Sequence, residues 1–177
     1  MSVESGLLPI VLKLDANSQV DIIHGLSLHI VWANNAPQLK EALVQFWLEN
    51  KAIPTRDEAE ARTQQVVCVA LNAKQHIVGV SSAYIAPFGQ DKALYYYFRT
   101  FIQADARKLG LALRFVLFTR AHLAKVLTDA TPKPQGMMIV TDNLRLKLGR
   151  INKWLGAQGF VLIGKTAEKK EVWCVRF

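Results

Sequence analysis

Three runs rich in β-branched and aromatic residues succeed one another with no helical pattern between them: VVCVALN from Val66, HIVGVSSAYI from His76 and LYYYFRTFI from Leu94. The first two are joined by AKQ, a connection of hairpin length, and the loop APFGQDKA leads into the third. A meander of this kind excludes the strict strand–helix alternation of a doubly wound fold. It is followed by a long apolar run over residues 110–128, read as a helix with Arg114, Arg120 and Lys125 as its main charges and buried against a sheet.

On the N-terminal side, LPIVLKL and LSLHIVWANN read as strands, the second over about residues 27–33. Pro37 opens a helix in which Leu39, Ala42, Leu43, Phe46 and Trp47 recur at helical spacing, and Pro54 stops it. Thr55 and Glu58 stand in capping-box register at the head of a short polar helix suited to a lid or an edge. After the long helix come a strand, GMMIVT, a helical stretch within NLRLKLGRINKWLGAQG, and a terminal hairpin of FVLIGKT and EVWCVRF. The order is that of a mixed α/β sheet. At 177 residues the chain has the length of one globular domain, 1–177, with 1–26 a candidate N-terminal strand extension.

The start lacks a basic leader, and Pro9 and Lys13 interrupt its apolar run, which predicts neither a signal peptide nor a membrane span and makes the cytosol the default, a cytoplasmic localisation. Cys68 and Cys174 lie in strand-like runs, as buried reduced thiols do. His24, His29, His76 and His122 show no metal-ligand spacing, so no metal is expected. Charge is unevenly spread. Residues 1–66 carry 5 Lys/Arg against 8 Asp/Glu, residues 67–143 carry 9 against 4, and residues 144–177 carry 8 against 2. A basic second half points to an anionic partner: nucleic acid, an acidic lipid surface or a phosphorylated small molecule.

Between the third strand of the meander and the long helix stands ADARKLGLA, with Arg107-Lys108-Leu109-Gly110-Leu111-Ala112 at the junction. A helix N-terminus offers unpaired N–H groups to an anion, Gly110 and Ala112 lack bulk, and Arg107 and Lys108 add charge. This hexapeptide in this context is similar to the Gln/Arg-x-x-Gly-x-Gly/Ala signature of the GNAT superfamily of acyl-CoA N-acyltransferases. WLGAQGFVLIGKT, with its Gly159-Phe160 pair, resembles the same family's closing helix and strands. The likeness covers roughly residues 27–177. It implies a mixed, mostly antiparallel central sheet flanked by helices.

The resemblance further implies an acyl-CoA co-substrate, most simply acetyl-CoA, whose diphosphate is held by backbone N–H groups of Lys108 to Ala112. The strand end at Phe101 and Ile102 is to pair with the pantetheine arm and polarise the thioester carbonyl. Asn143 is to contact the same co-substrate, although as a helix N-cap it has an equally good role. The acceptor, a small-molecule or peptide amine, is to lie by Trp47, Glu49, Asn50 and the acidic Asp57, Glu58 and Glu60. Edge strands and the terminal hairpin are candidates for pairing two subunits.

The family's proton-transfer residues do not carry over. Where some members have a basic glutamate, this sequence has Tyr96; where many have an acidic tyrosine, it has Leu155 beside Trp154. Tyr96 and Tyr97 are therefore the candidate catalytic residues, on opposite faces of their strand. A phenol of ordinary pKa, about 10, is a poor base at neutral pH. Two other readings stay open: a non-catalytic acyl-CoA-binding module, favoured by the missing glutamate and tyrosine, and an RNA- or aminoacyl-tRNA-directed protein using the basic C-terminal half.

Overall fold

The computed structural model describes residues 9–107, 110–126, 132–141 and 150–177. Its elements are β1 (Gln19–Ile23), β2 (Leu26–Ile30), α1 (Pro37–Glu49), α2 (Arg56–Thr63), β3 (Val66–Leu71), β4 (Ile77–Phe88), β5 (Ala93–Ile102), α3 (Leu111–Val126), β6 (Gly136–Thr141), α4 (Arg150–Ala157), β7 (Val161–Lys165) and β8 (Glu171–Arg176). The strands form one sheet in the order β1-β2-β3-β4-β5-β6-β8-β7. It is mixed and mostly antiparallel, with β5 and β6 parallel. Among the described residues no helix is long and apolar enough to cross a membrane. The chain divides into two compact units: residues up to Ser82 with Thr100–Thr119, and Ala83–Arg99 with Arg120–Phe177.

In the first unit, α1 begins at Pro37, whose missing N–H costs nothing in the first turn, and it buries Leu39, Leu43, Phe46 and Trp47. They meet Val66, Val69, Leu71 and Val80 of the sheet in one apolar cluster. β3 is buried at all six positions, as a strand covered on both faces must be. The β3–β4 turn is fixed by Asn72, whose Oδ1 accepts from the N–H groups of Lys74 (2.9 Å) and His76 (3.1 Å), and by Gln75 at φ +61°. α2 starts as its capping box predicts: Thr55 Oγ1 accepts from the Glu58 N–H.

Two expectations for the N-terminal region change. Of LPIVLKL, the described residues 9–14 form no strand; they meet the β3–β4 turn, the Leu12 N–H donating to Gln75 C=O (3.0 Å) while the Leu12 side chain is buried. The extra strand is instead β1, QVDII, closed onto β2 by His24 and Gly25 at φ +52° and +77°, the backbone a two-residue hairpin needs. The long helix packs on the sheet, as its apolar run predicts. α3 buries one face, Leu111, Phe115, Val116, Thr119 and Leu123, and exposes Ala112, Arg114, Ala121, Ala124 and Lys125. Its contact with β4 is close. An added Cβ at Gly79 would lie 3.0 Å from the Phe115 ring, and one turn later Thr119 and Ser81 share a buried hydroxyl hydrogen bond of 2.8 Å.

In the second unit, β6 pairs with β5 through Tyr96–Met137, Tyr97–Met138 and Phe98–Ile139, and with β8 over its whole length. Gly136 is obligatory, because any Cβ there would meet the Val175 carbonyl oxygen at 2.0 Å. α4 ends with Gly159 at φ +81° and the Phe160 N–H returning to Leu155 C=O, a left-handed C-terminal cap. β7, last in the sheet, is exposed throughout, and its pairing with β8 slips between Leu162 and Gly164.

His29 on β2 is buried, its ring nitrogens bonded to Ser18 Oγ (2.9 Å) and Ser27 Oγ (3.0 Å), and burial holds its pKa below the usual value. A depressed histidine contributes stability that is present above its unfolded pKa of about 6.5 and is lost as pH falls through the folded value. The melting temperature should therefore decline below about pH 6.5 in wild type and decline less in His29→Gln. An imidazole titration by NMR giving His29 a pKa at or above 6.5 would contradict this.

Candidate functional site

β5 outruns its parallel partner. The last β6 residue in register is Ile139, opposite Phe98, and β5 continues to Ile102. Beyond that strand end, the Gln103 N–H donates to Val78 C=O (2.9 Å). Backbone groups alternate in direction along an antiparallel strand, so Phe101 also faces β4, while Thr100 and Ile102 present N–H and C=O to the opposite edge. Of the two residues expected at the strand end, Ile102 thus offers backbone groups there. Phe101 contributes its ring, packed edge-on against Phe46 at 5.7 Å.

A single 3-10 turn, Ala104–Ala106, then leads to the junction. Arg107 folds back: its Nε donates to Ile102 C=O (2.9 Å), and its guanidinium lies 6.0 Å from the Phe101 ring centre. One guanidinium nitrogen is thereby anchored, and the side chain is exposed. Gly110 has φ +89°, a conformation that favours glycine, and its C=O accepts the Arg114 N–H (2.9 Å), which starts α3. Leu111, Ala112 and Leu113 open that helix, so their N–H groups have no carbonyl one turn back within it. Ala112 is exposed and Leu111 is fully buried. Arg114, on the same first turns, pairs with Asp21 of β1 at 3.4 Å. Lys108, Leu109 and Asn143 lie outside the described residues. The residues placed here form a junction suited to an anion: helix N–H groups, a glycine that crowds nothing and a tethered arginine.

Tyr96 and Tyr97 belong to the second unit. Tyr96 is buried, its ring 6.3 Å from that of Phe177, and burial raises its pKa. Tyr97 is half-buried, stacks on Tyr84 at 5.3 Å, and has its pKa raised by burial first and by Tyr84 and Cys174 next. Arg99 lies over the other partner of that stack, 4.4 Å from the centre of the Tyr84 ring. Phenols shifted upward keep their protons at neutral pH; they can donate a hydrogen bond but not act as bases. Leu155 is buried, in keeping with an apolar residue at that position.

The residues expected on the acceptor side separate. Trp47 is 3% exposed and belongs to the core. Asp57, Glu58 and Glu60 are exposed on α2, Glu60 paired with Arg56 at 2.8 Å. Glu49 and Asn50 line a cavity of about 320 Å³ in the first unit, together with Gln45, His76, Gln103 and Asp105. The last four carry no motif. The available signal was Gln45, a polar residue one turn from Ala42 and Glu49 on the apolar side of α1, buried where periodicity calls for an apolar residue. Among the described residues no cluster of three His, Cys, Asp or Glu side chains is placed to hold a metal ion.

No protein-family model matches the sequence, and no curated protein sequence matches it. Solved structures do. The GNAT domain of S. lividans PAT superposes with a TM-score of 0.60 at 11% identity, over 93% of this chain and 100% of that one. The ribosomal-protein-S5-alanine acetyltransferase from Vibrio fischeri gives 0.55 at 13% identity, over 87% and 93%. Arabidopsis thaliana NAA60, solved in complex with acetyl-CoA, gives 0.52 at 12% identity, over 86% and 99%. At these identities the likeness is one of fold.

The raised phenols give an alkaline signature. Tyr96 and Tyr97 should ionise above the ordinary value of about 10, and the stability they contribute is present below pH 10 and lost as pH rises through their folded values. Spectrophotometric titration should show two tyrosines, absent in Tyr96→Phe and Tyr97→Phe respectively, ionising later than the rest; normal titration of both would refute the assignment.

Proposed function

We propose, from the premise that the chain has the GNAT fold, that it is an acyl-CoA-dependent N-acyltransferase moving an acetyl group from acetyl-CoA to an amine. The observation that carries this reading is the junction after β5: Gly110 at positive φ before the α3 N-terminus, with Arg107 tethered beside it. Phosphate oxygens are matched by the first-turn N–H groups of α3, by the partial positive charge of the helix end and by the exposed arginine, with Lys108 as a further cation. An extended pantetheine arm is matched by the backbone groups of Thr100 and the N–H of Ile102, which face away from β4, while the Ile102 C=O holds Arg107.

The bound thioester supplies an electrophilic carbonyl and a thiolate leaving group. In the transfer the amine nitrogen forms the C–N bond, the C–S bond breaks, one proton leaves the nitrogen and the sulfur gains one. No electron is gained or lost, and no covalent bond to the protein is required. The Ile102 N–H is positioned by its strand to stabilise charge on the carbonyl oxygen. Neither Tyr96 nor Tyr97 takes the amine proton, because both hold their own. Water takes the amine proton and returns one to the departing sulfur. Cys68 stays out of the chemistry, since burial keeps its thiol protonated. Free thiols at Cys68 and Cys174 suit a reducing compartment such as the cytosol.

Calorimetry with acetyl-CoA tests the site. Wild type should bind at about micromolar strength, and an Arg107→Glu/Gly110→Asp double variant, which reverses the charge and crowds the loop, should lose at least about 100-fold. Binding without transfer to any amine would favour the acyl-CoA-binding module. A folded wild type that binds no acetyl-CoA would end the proposal.

A further inference from the structure

The inner side of β1 meets the junction that opens α3. Its pairing with β2 slips by one residue between Gln19, opposite His29, and Asp21, opposite Leu28, and a slip of this kind re-aims the side chains that follow. Val20 and Ile22 are exposed, whereas Asp21 and Ile23 are half-buried. Ile23 reaches Gly110: a Cβ added to that glycine would lie 3.6 Å from Ile23 Cδ1. Asp21 reaches Arg114, its Oδ2 standing 3.4 Å from Arg114 Nε. Gly110 and Arg114 are one helical turn apart, the Arg114 N–H donating to Gly110 C=O, so the two contacts bracket the first turn of α3.

As a brace this carboxylate does little. Its Oδ1 accepts the N–H of the next residue, Ile22, at 2.9 Å. Oδ2 is buried and, among the described residues, accepts no hydrogen bond; the Arg114 guanidinium is the cation beside it. An ion pair whose arginine is 48% exposed adds little stability, and a buried oxygen without a hydrogen bond subtracts some. Its place gives Asp21 another effect. The first-turn N–H groups of α3, Arg107 and Arg114 make the junction positive, and Asp21 sets a negative charge within it. An anion seated on those N–H groups is repelled by the carboxylate while the two arginines draw it in.

We propose that Asp21 is an affinity-setting residue, an internal anion that weakens the hold of the junction on the phosphates of acyl-CoA. This rests on the acyltransferase reading above. Acetyl-CoA and the CoA left after transfer carry the same phosphates, so whatever tightens the hold on one tightens it on the other. Asp21 loosens both, and so shortens the time for which CoA stays bound after each turnover.

Calorimetry with acetyl-CoA and with CoA provides the test. Asp21→Asn should bind both at least about fivefold more tightly than wild type, and Arg114→Gln at least about fivefold more weakly. The opposite signs are the signature, since loss of either member of a pair that only braced α3 would weaken binding or leave it alone. Asp21→Ser, also neutral, should tighten binding as well, which guards against a fault peculiar to the amide. Acetyl-pantetheine, which has no phosphate, should bind wild type and Asp21→Asn within about twofold of each other. Glu168→Gln removes an exposed carboxylate from the turn between β7 and β8 and changes the net charge equally; it should leave acetyl-CoA binding within about twofold of wild type. Acetyl-CoA binding that is unchanged or weaker in both neutral variants overturns the proposal. So does an Arg114→Gln protein that binds no more weakly than wild type, or a gain shared by acetyl-pantetheine or by Glu168→Gln. In each of these cases wild type still binds acetyl-CoA and the acyltransferase reading stands. A folded wild type that binds no acetyl-CoA ends both.

Discussion

The close seat of α3 on β4 is the contact on which the rest of the first unit's site depends. Gly79 leaves room for Phe115 to lie on the strand, and the Ser81–Thr119 hydrogen bond fixes the helix one turn further along. Burying a phenylalanine ring stabilises by about 1.5–3 kcal/mol, and a buried hydroxyl left without its partner costs about 1–3 kcal/mol. Neither contact involves a residue proposed to meet a ligand. Together they set where α3 begins, and so where its first-turn N–H groups and Gly110 stand relative to the end of β5.

The segment from Gln103 to Arg107 joins two environments of opposite sign. Asp105 belongs to the acidic cavity, and Arg107, two residues on, belongs to the basic junction. A 3-10 turn makes this change of partner compact, its Ala106 N–H returning to Gln103 C=O. Net charge describes such a chain poorly. Its cationic excess and its carboxylate-lined pocket lie at different places, which only the local arrangement shows.

Elements with strong local signals were legible in the sequence. Pro37 and a clean apolar period mark α1, the Thr55–Glu58 pair marks α2, and the three successive strand runs become β3, β4 and β5. Gly110 at the strand-to-helix junction also stood out, because few residue types serve there. What depends on distant partners did not stand out. LPIVLKL is apolar enough for a strand, but only its fold against the Asn72–Gln75 turn shows that Leu12 is the residue it buries. QVDII alternates poorly because it is an edge with little to cover. Period-2 alternation divided Tyr96 from Tyr97 without saying which would be buried against Phe177. The resemblance put Trp47 on the acceptor side through its place in the first helix; its helical phase places it in the core.

β7 ends the sheet with Val161, Leu162 and Ile163 side by side in solvent, a composition that in a flat ribbon would recruit further strands without limit. The irregular pairing between Leu162 and Gly164, and Lys165 at the strand's end, spoil that template by bending the ladder and adding charge. The break in register thus bears on colloidal behaviour, since a ladder that is not regular is a poorer template for a second copy.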